Sequence, residues 1–375
     1  MKPDSFNGIV QSNRHSWIDY ARGIAIFLVL YRHVFEGIKR SGLNTENYSF
    51  LEHANIIFFS FRMPLFFIIS GIFIIKSLQK RGLREFIQNK WQLLLYPYIL
   101  WAAIQISIQW LLGDYVNAQR SYKDYLYIFV LPREIDQFWY LYALFNVSIL
   151  YAITSIKLKL SRLAQLILGL VFFFISSQVV QNSIHLGGLK HGGFFYDILH
   201  YYIFIAIGDV IASFIMKKEN VKLFSSWKSF IIILPVFAAC QWYFLQVNVS
   251  HNSTSYVEDY QPFRFLLIAL SGCIFMTVVS FILQKYNTAK WLHFIGFYSL
   301  YIYLMHVLAS AATRIFLTKV FGIGSVPLLL LLGITMGLIV PILFYTFATR
   351  FGAWWLFSLQ KPENKKLTSK NLVAV

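Results

Sequence analysis

Four ionisable side chains, Asp19, Arg22, His33 and Glu36, fall inside one apolar run that begins Trp17-Ile18-Asp19-Tyr20-Ala21-Arg22-Gly23 and continues to Tyr31-Arg32-His33-Val34-Phe35-Glu36. Helical periodicity puts all four on one stripe. Arg22 and His33 are separated by about 20° in azimuth and about 16 Å along the axis. Asp19 is one turn from Arg22 and would pair with it; Glu36 is one turn from His33 and would orient its imidazole, a group that titrates near neutral pH. Charged side chains inside a bilayer are costly and functional by default. The competing structural role has Asp19 and Arg22 marking the interfacial start of a span and His33 satisfied by a neighbouring helix.

A second run, Phe61-Arg62-Met63-Pro64-Leu65-Phe66-Phe67-Ile68-Ile69-Ser70-Gly71, returns through the membrane and brings Arg62 to nearly the depth of His33. Pro64 favours a kink that frees a carbonyl. Ser299, Tyr303 and His306 share one face of a later run, where they either bridge helices by hydrogen bonds or line a site. Trp139 and Tyr140 open another run, as an aromatic belt or as a stacking platform for a sugar.

The elements that must hold these groups follow from composition. Of 375 residues, 58% are hydrophobic and 13% charged, about half the charge of a soluble domain. The apolar residues are spread over the whole length, which excludes disorder and points to repeated crossings of roughly 20 residues each. Ten runs are legible, at residues 16 to 37, 53 to 76, 91 to 112, 138 to 156, 163 to 180, 193 to 216, 229 to 247, 262 to 284, 292 to 317 and 325 to 349. The expected fold is therefore an all-α bundle of about ten transmembrane spans over residues 16–349, with a cytoplasmic segment at 1–15 and a basic tail at 350–375. Lys and Arg in alternate loops divide 21 to 7, which places both termini in the cytoplasm and accounts for the net charge of +17 without nucleic acid. The outward loops 113 to 137 and 248 to 261 carry acids and tyrosines suited to a hydroxyl-rich substrate. Asp197 and Asp209 are expected to pair with Arg264 or Arg314.

Several chemistries are missing from the sequence. It has no phosphate-binding glycine loop, no HExxH, no GxSxG and no Cys or His spacing suited to a metal. Cys240 and Cys273 lie inside apolar runs, and the polar first residues do not read as a cleaved signal peptide.

Arg22, ten residues and His33, followed by Met63-Pro64-Leu65-Phe66-Phe67-Ile68-Ile69-Ser70-Gly71, resemble the acyltransferase 3 family of membrane O-acyltransferases, with the flavour of its sugar O-acetyltransferase branch. The stretch from Lys90 to Tyr98, Phe138-Trp139-Tyr140-Leu141, and Gly296 to His306 agree in family order. The resemblance implies a ten-helix bundle that passes an acetyl group from cytoplasmic acetyl-CoA, a co-substrate rather than a bound cofactor, to a hydroxyl of a polysaccharide or lipid-linked glycan outside a bacterial inner membrane. It assigns His33 as general base or transient acyl acceptor, and Arg22 to the thioester or the developing oxyanion, with Asp19 and Glu36 supporting them. Arg62, Arg84 and Lys90 would meet the acyl-CoA, although Gln92 stands where the family commonly carries a second basic residue. The alternative is a transporter or export factor in which Arg22, His33, Arg62 and His306 line a pathway.

Overall fold

The computed structural model describes residues 15–185 and 193–360, and every regular element among them is helical. In chain order the helices are α1 Ser16–Arg40, α2 Ser49–Ile57, α3 Phe59–Lys90, α4 Tyr96–Leu112, α5 Tyr127–Val130, α6 Trp139–Ile156, α7 Arg162–His185, α8 Phe194–Ile215, α9 Lys218–Phe224, α10 Trp227–Ser250, α11 Tyr256–Tyr260, α12 Pro262–Tyr286, α13 Lys290–Phe297, α14 Ser299–Lys319 and α15 Val326–Arg350. Eight helical stretches are long and apolar enough to cross a membrane. The chain is a multi-pass membrane helix bundle. One of the eight stretches, residues 46 to 112, contains two of the expected runs; α1 is not among the eight, because it carries the ionisable stripe.

Helix α1 sits at the centre, against α3, α12, α13, α14 and α15. Asp19 in its first turn and Lys39 and Arg40 in its last complement the helix dipole. Because lipid tails are as apolar as leucine, helices in a bilayer associate through close packing and hydrogen bonds rather than through apolar burial. Both devices are present. Gly71 of α3 and Gly208 of α8 meet backbone to backbone, so that a Cβ on either would collide with the opposing carbonyl. Gly23 and Gly296 do the same for α1 and α13. Ser60 donates to Gln241 across α3 and α10 at 3.0 Å, and Thr154, Gln165 and Tyr202 join α6, α7 and α8 through buried side chains.

Three expectations about the elements are corrected. The polar stretch after residue 76 is helical to Lys90, because the chain bends at Gly82, whose φ of 72° suits glycine, while Leu78 and Phe86 remain buried. The turn Trp91–Leu95 then carries the backbone into α4 without an open loop. The run 292 to 317 is two helices, broken at Tyr298, so that Ser299 opens α14. Asp197 and Asp209 pair with neither Arg264 nor Arg314. The Nη2 atom of Arg133 lies 2.7 Å from Asp197, while Asp209 accepts from Tyr151 at 2.9 Å and faces Arg162 at 3.4 Å. Arg264 lies instead over Tyr243, 5.5 Å from its centroid.

The loop between α4 and α6 is tied down over the bundle. Asp136 accepts from Gln105 at 2.9 Å and Gln109 at 3.1 Å, Gln137 donates to Gln105 at 3.0 Å, and the Tyr98 hydroxyl donates to the Ile128 carbonyl. At the other end the chain turns back after α15: Trp101 donates to the Leu356 carbonyl at 2.8 Å, and Phe357 packs on Trp101 and Tyr345.

Candidate active site

A cavity of about 810 Å³ opens among α1, α3, α14 and the segments 116 to 139 and 254 to 259. That is the size of a site for a sizeable small molecule. His33 lines it, with Arg32 and Glu36 from the same helix and Arg62, Met63 and Pro64 from α3. The imidazole of His33 stands 5.1 Å, centroid to centroid, from that of His306 on α14. The Nδ1 atom of His306 lies 3.0 Å from the Ile302 carbonyl and 2.9 Å from that of Tyr303. Two carbonyl oxygens require a proton on that nitrogen, which leaves Nε2 of His306 as a buried acceptor without a partner among the described residues. Glu36 accepts from Asn55 at 3.0 Å, so its visible tie is to α2 rather than to His33.

A second cavity, of about 50 Å³, is lined by Arg22, Ser70, Tyr140, Ser299 and Tyr303. Tyr303 lines both cavities, and its ring lies 5.4 Å from that of Tyr140. Tyr303, backed by Tyr140 on the narrow side, thus stands as the partition between the Arg22 end and the His33 end of α1. Asp19 is buried at the same end as Arg22, with His293 of α13 3.5 Å from its carboxylate. Trp139 lines the large cavity with its indole under the Arg133 guanidinium, 4.4 Å from centroid to Cζ.

Residues 15–346 match the acyltransferase domain of the acyltransferase 3 family, nearly the whole of the described chain. The chain belongs to that family. No curated protein and no solved structure matches it. The family match favours the enzyme over the export factor, and the motif residues His33, Arg22 and Met63 to Gly71 fall on the two helices that wall the cavities.

Within this acyltransferase the three residues expected at the acyl-CoA do not come together. Arg62 lies in the large cavity beside His33, Arg84 is exposed, and Lys90 is buried with its ammonium 5.5 Å from the Phe86 ring. Twenty-two residues of helix separate Arg62 from Arg84, a rise of roughly 33 Å, so one ligand head group cannot touch both. Gln92 accepts from Gln360 at 2.6 Å and so joins the turn after α3 to the segment following α15.

The loops 113 to 137 and 248 to 261, expected to face the substrate, do line the large cavity, but the pairings they make there were not foreseen. Arg133 bridges Asp197 and Trp139, and Glu258 on α11 lies 3.2 Å from Nε2 of His200, both side chains being almost fully buried. Asp259 accepts from the Ser255 hydroxyl at 2.9 Å. Burial, reinforced by the neighbouring Glu258 carboxylate, pushes the Asp259 carboxyl up to about 7. Burial is the largest influence on Glu258 and would raise it, but the His200 imidazole and the charges of Arg133 and Arg32 together outweigh this and hold it below the usual carboxylate range. Arg314 also lines this cavity. The available signal was Arg32 standing directly beside His33 and the acidic pair Glu258-Asp259 in a loop facing the same side.

Proposed function

We propose that this acyltransferase moves an acetyl group from cytoplasmic acetyl-CoA to a glycan hydroxyl on the outer face of a bacterial inner membrane. The observation that carries the reading is the succession along one helix of Arg22 in a narrow cavity, a Tyr140–Tyr303 partition, and His33 in a wide polar cavity. A thin thioester arm suits the narrow side, and a sugar with its many hydroxyls suits the wide one. In the proposed orientation the polypeptide makes ten crossings, with both termini inside and the wide cavity outside; the 21 to 7 division of basic residues supports that orientation.

His33 acts as the general base. It takes the proton of the acceptor hydroxyl as that oxygen attacks the thioester carbonyl; the carbon–sulfur bond then breaks, and the proton passes to the departing thiolate. Nε2 of His306 is placed to hold an N–H of His33 and so keep its other nitrogen free for the substrate. Arg22, about 16 Å from His33 along the helix, supplies positive charge to the coenzyme side of the arm rather than to the carbonyl under attack. Trp139, held between Arg133 and Tyr201, gives the sugar an apolar edge in the cavity wall.

The test uses vesicles in which the cytoplasmic face is exposed, supplied with acetyl-CoA labelled in the acetyl group. Label entering lumenal glycan only when the protein is present supports the reading. Label that stays in solution, with the protein intact, contradicts it.

A further inference from the structure

Arg62 is 2% exposed, lines the wide cavity, and has no hydrogen-bond partner on either terminal nitrogen among the described residues. A guanidinium does not shed its proton in proteins, so burial there leaves a full charge to be met. The Phe59 ring meets part of it, with the Arg62 Cζ 5.1 Å from the ring centroid, but Arg32 lies over the same ring at 5.1 Å. A cation–π contact offsets only part of the cost of holding two guanidinium groups at one site.

Glu36 and Glu258 offset part of this charge from a distance. Neither makes an ion pair with Arg32 or Arg62: Glu36 accepts from Asn55 and Glu258 faces His200, while Asp136 accepts from Gln105 and Gln109 and Asp259 from Ser255. Arg133 is spent on Asp197. Among the described residues no ion pair joins Arg32 or Arg62 to a carboxylate. The two guanidinium groups therefore converge beside His33 with donors turned to the same cavity.

From this we propose that the acceptor is anionic: a carboxylate or phosphate near the acylated hydroxyl is bound by Arg62 and Arg32, while His33 faces the hydroxyl itself. Guanidinium groups bind both anions through paired hydrogen bonds. The proposal rests on the glycan-acceptor reading above and names its substrate class. The charge comes either from an acidic sugar or from the diphosphate of a lipid carrier.

The experiment measures binding, not turnover, with the full-length protein in detergent at fixed salt. Its probes are a trigalacturonate, the same trisaccharide as its methyl ester, farnesyl diphosphate and farnesol. At least one charged probe should bind about tenfold or more tightly than its neutral twin. Arg62→Gln should abolish that preference and Arg32→Gln reduce it, while Arg264→Gln, outside the cavity, leaves it unchanged. A preference for the trigalacturonate assigns the charge to the sugar; a preference for the diphosphate assigns it to the carrier. Because Arg62→Gln removes an unpaired buried charge, its unfolding temperature should be at least that of the wild type, whereas loss of a merely structural arginine lowers it. Equal binding of charged and neutral twins, or a preference that survives Arg62→Gln, overturns the proposal. If the anion preference holds but no label passes from acetyl-CoA to any glycan, the reading of the reaction fails instead.

Discussion

His33 stands where an acceptor hydroxyl in the wide cavity can reach it, and Arg22 stands about three helical turns away behind the Tyr140–Tyr303 partition. If Arg22 holds the coenzyme side of the donor, Arg22→Ala should raise KM for acetyl-CoA at least about tenfold with little change in the amount of folded protein. Initial rates across a range of acetyl-CoA concentrations check this, and a lowered kcat with KM unchanged would place Arg22 at the reacting carbonyl instead. Asp259 makes a different prediction. Its folded-state carboxyl titrates near 7, above an unfolded value near 3.9, so the native protein holds the proton more tightly. That contribution to stability is complete below pH 4 and is lost as the pH rises to 7. Asp259→Asn should flatten the fall in unfolding temperature between pH 5 and 7.5; an unchanged slope would place the titration elsewhere. At this scale the sequence showed His33, Arg22 and Arg62 because a charge inside an apolar run is conspicuous. It did not show the Arg133–Asp197 or His200–Glu258 pairs, since contacts between distant helices leave no spacing behind.

The helices hold these groups by close approach. Gly71 and Gly208 let α3 and α8 touch, and α3 carries Arg62 into the cavity. A valine at Gly71 would force the helices apart and should cost about 3 kcal/mol, or prevent folding. Gly324→Ala, where the nearest atom outside its neighbours is 3.8 Å away, should change stability by less than about 0.5 kcal/mol. Thermal unfolding of the two variants in detergent makes the comparison, and similar unfolding temperatures would show that the crossing is not needed. Most of the apolar runs were legible because one long helix lies beneath each; those at 53 to 76 and 292 to 317 are interrupted, at Phe58 and Tyr298. The continuation of α3 to Lys90 was not, because residues 77 to 90 are polar and look like a loop, although Gly82 needs only to change the helix direction. The break at Tyr298 was hidden for the opposite reason: apolar residues continue across it.

Across the whole molecule, the proposed mechanism requires the two cavities to face opposite compartments. With Cys240 and Cys273 replaced by alanine, a cysteine at Thr254 should react with a membrane-impermeant maleimide added to intact cells. One at Arg84 should react only after the membrane is opened. The reverse pattern would invert the protein and send the acyl group the other way. Composition and the distribution of Lys and Arg made a multi-pass protein and its expected orientation legible before any fold was known. The shape of the cavities was not, because it depends on which faces of distant helices meet.

The central claim is that acyl transfer to a surface glycan passes through His33. The most direct measurement is the O-acetyl content of the purified polysaccharide, by proton NMR, from a deletion strain complemented with wild type or with His33→Ala at equal protein levels. Acetyl signals restored by the wild type and missing with His33→Ala are the expected result. Equal acetylation by the two would contradict the account.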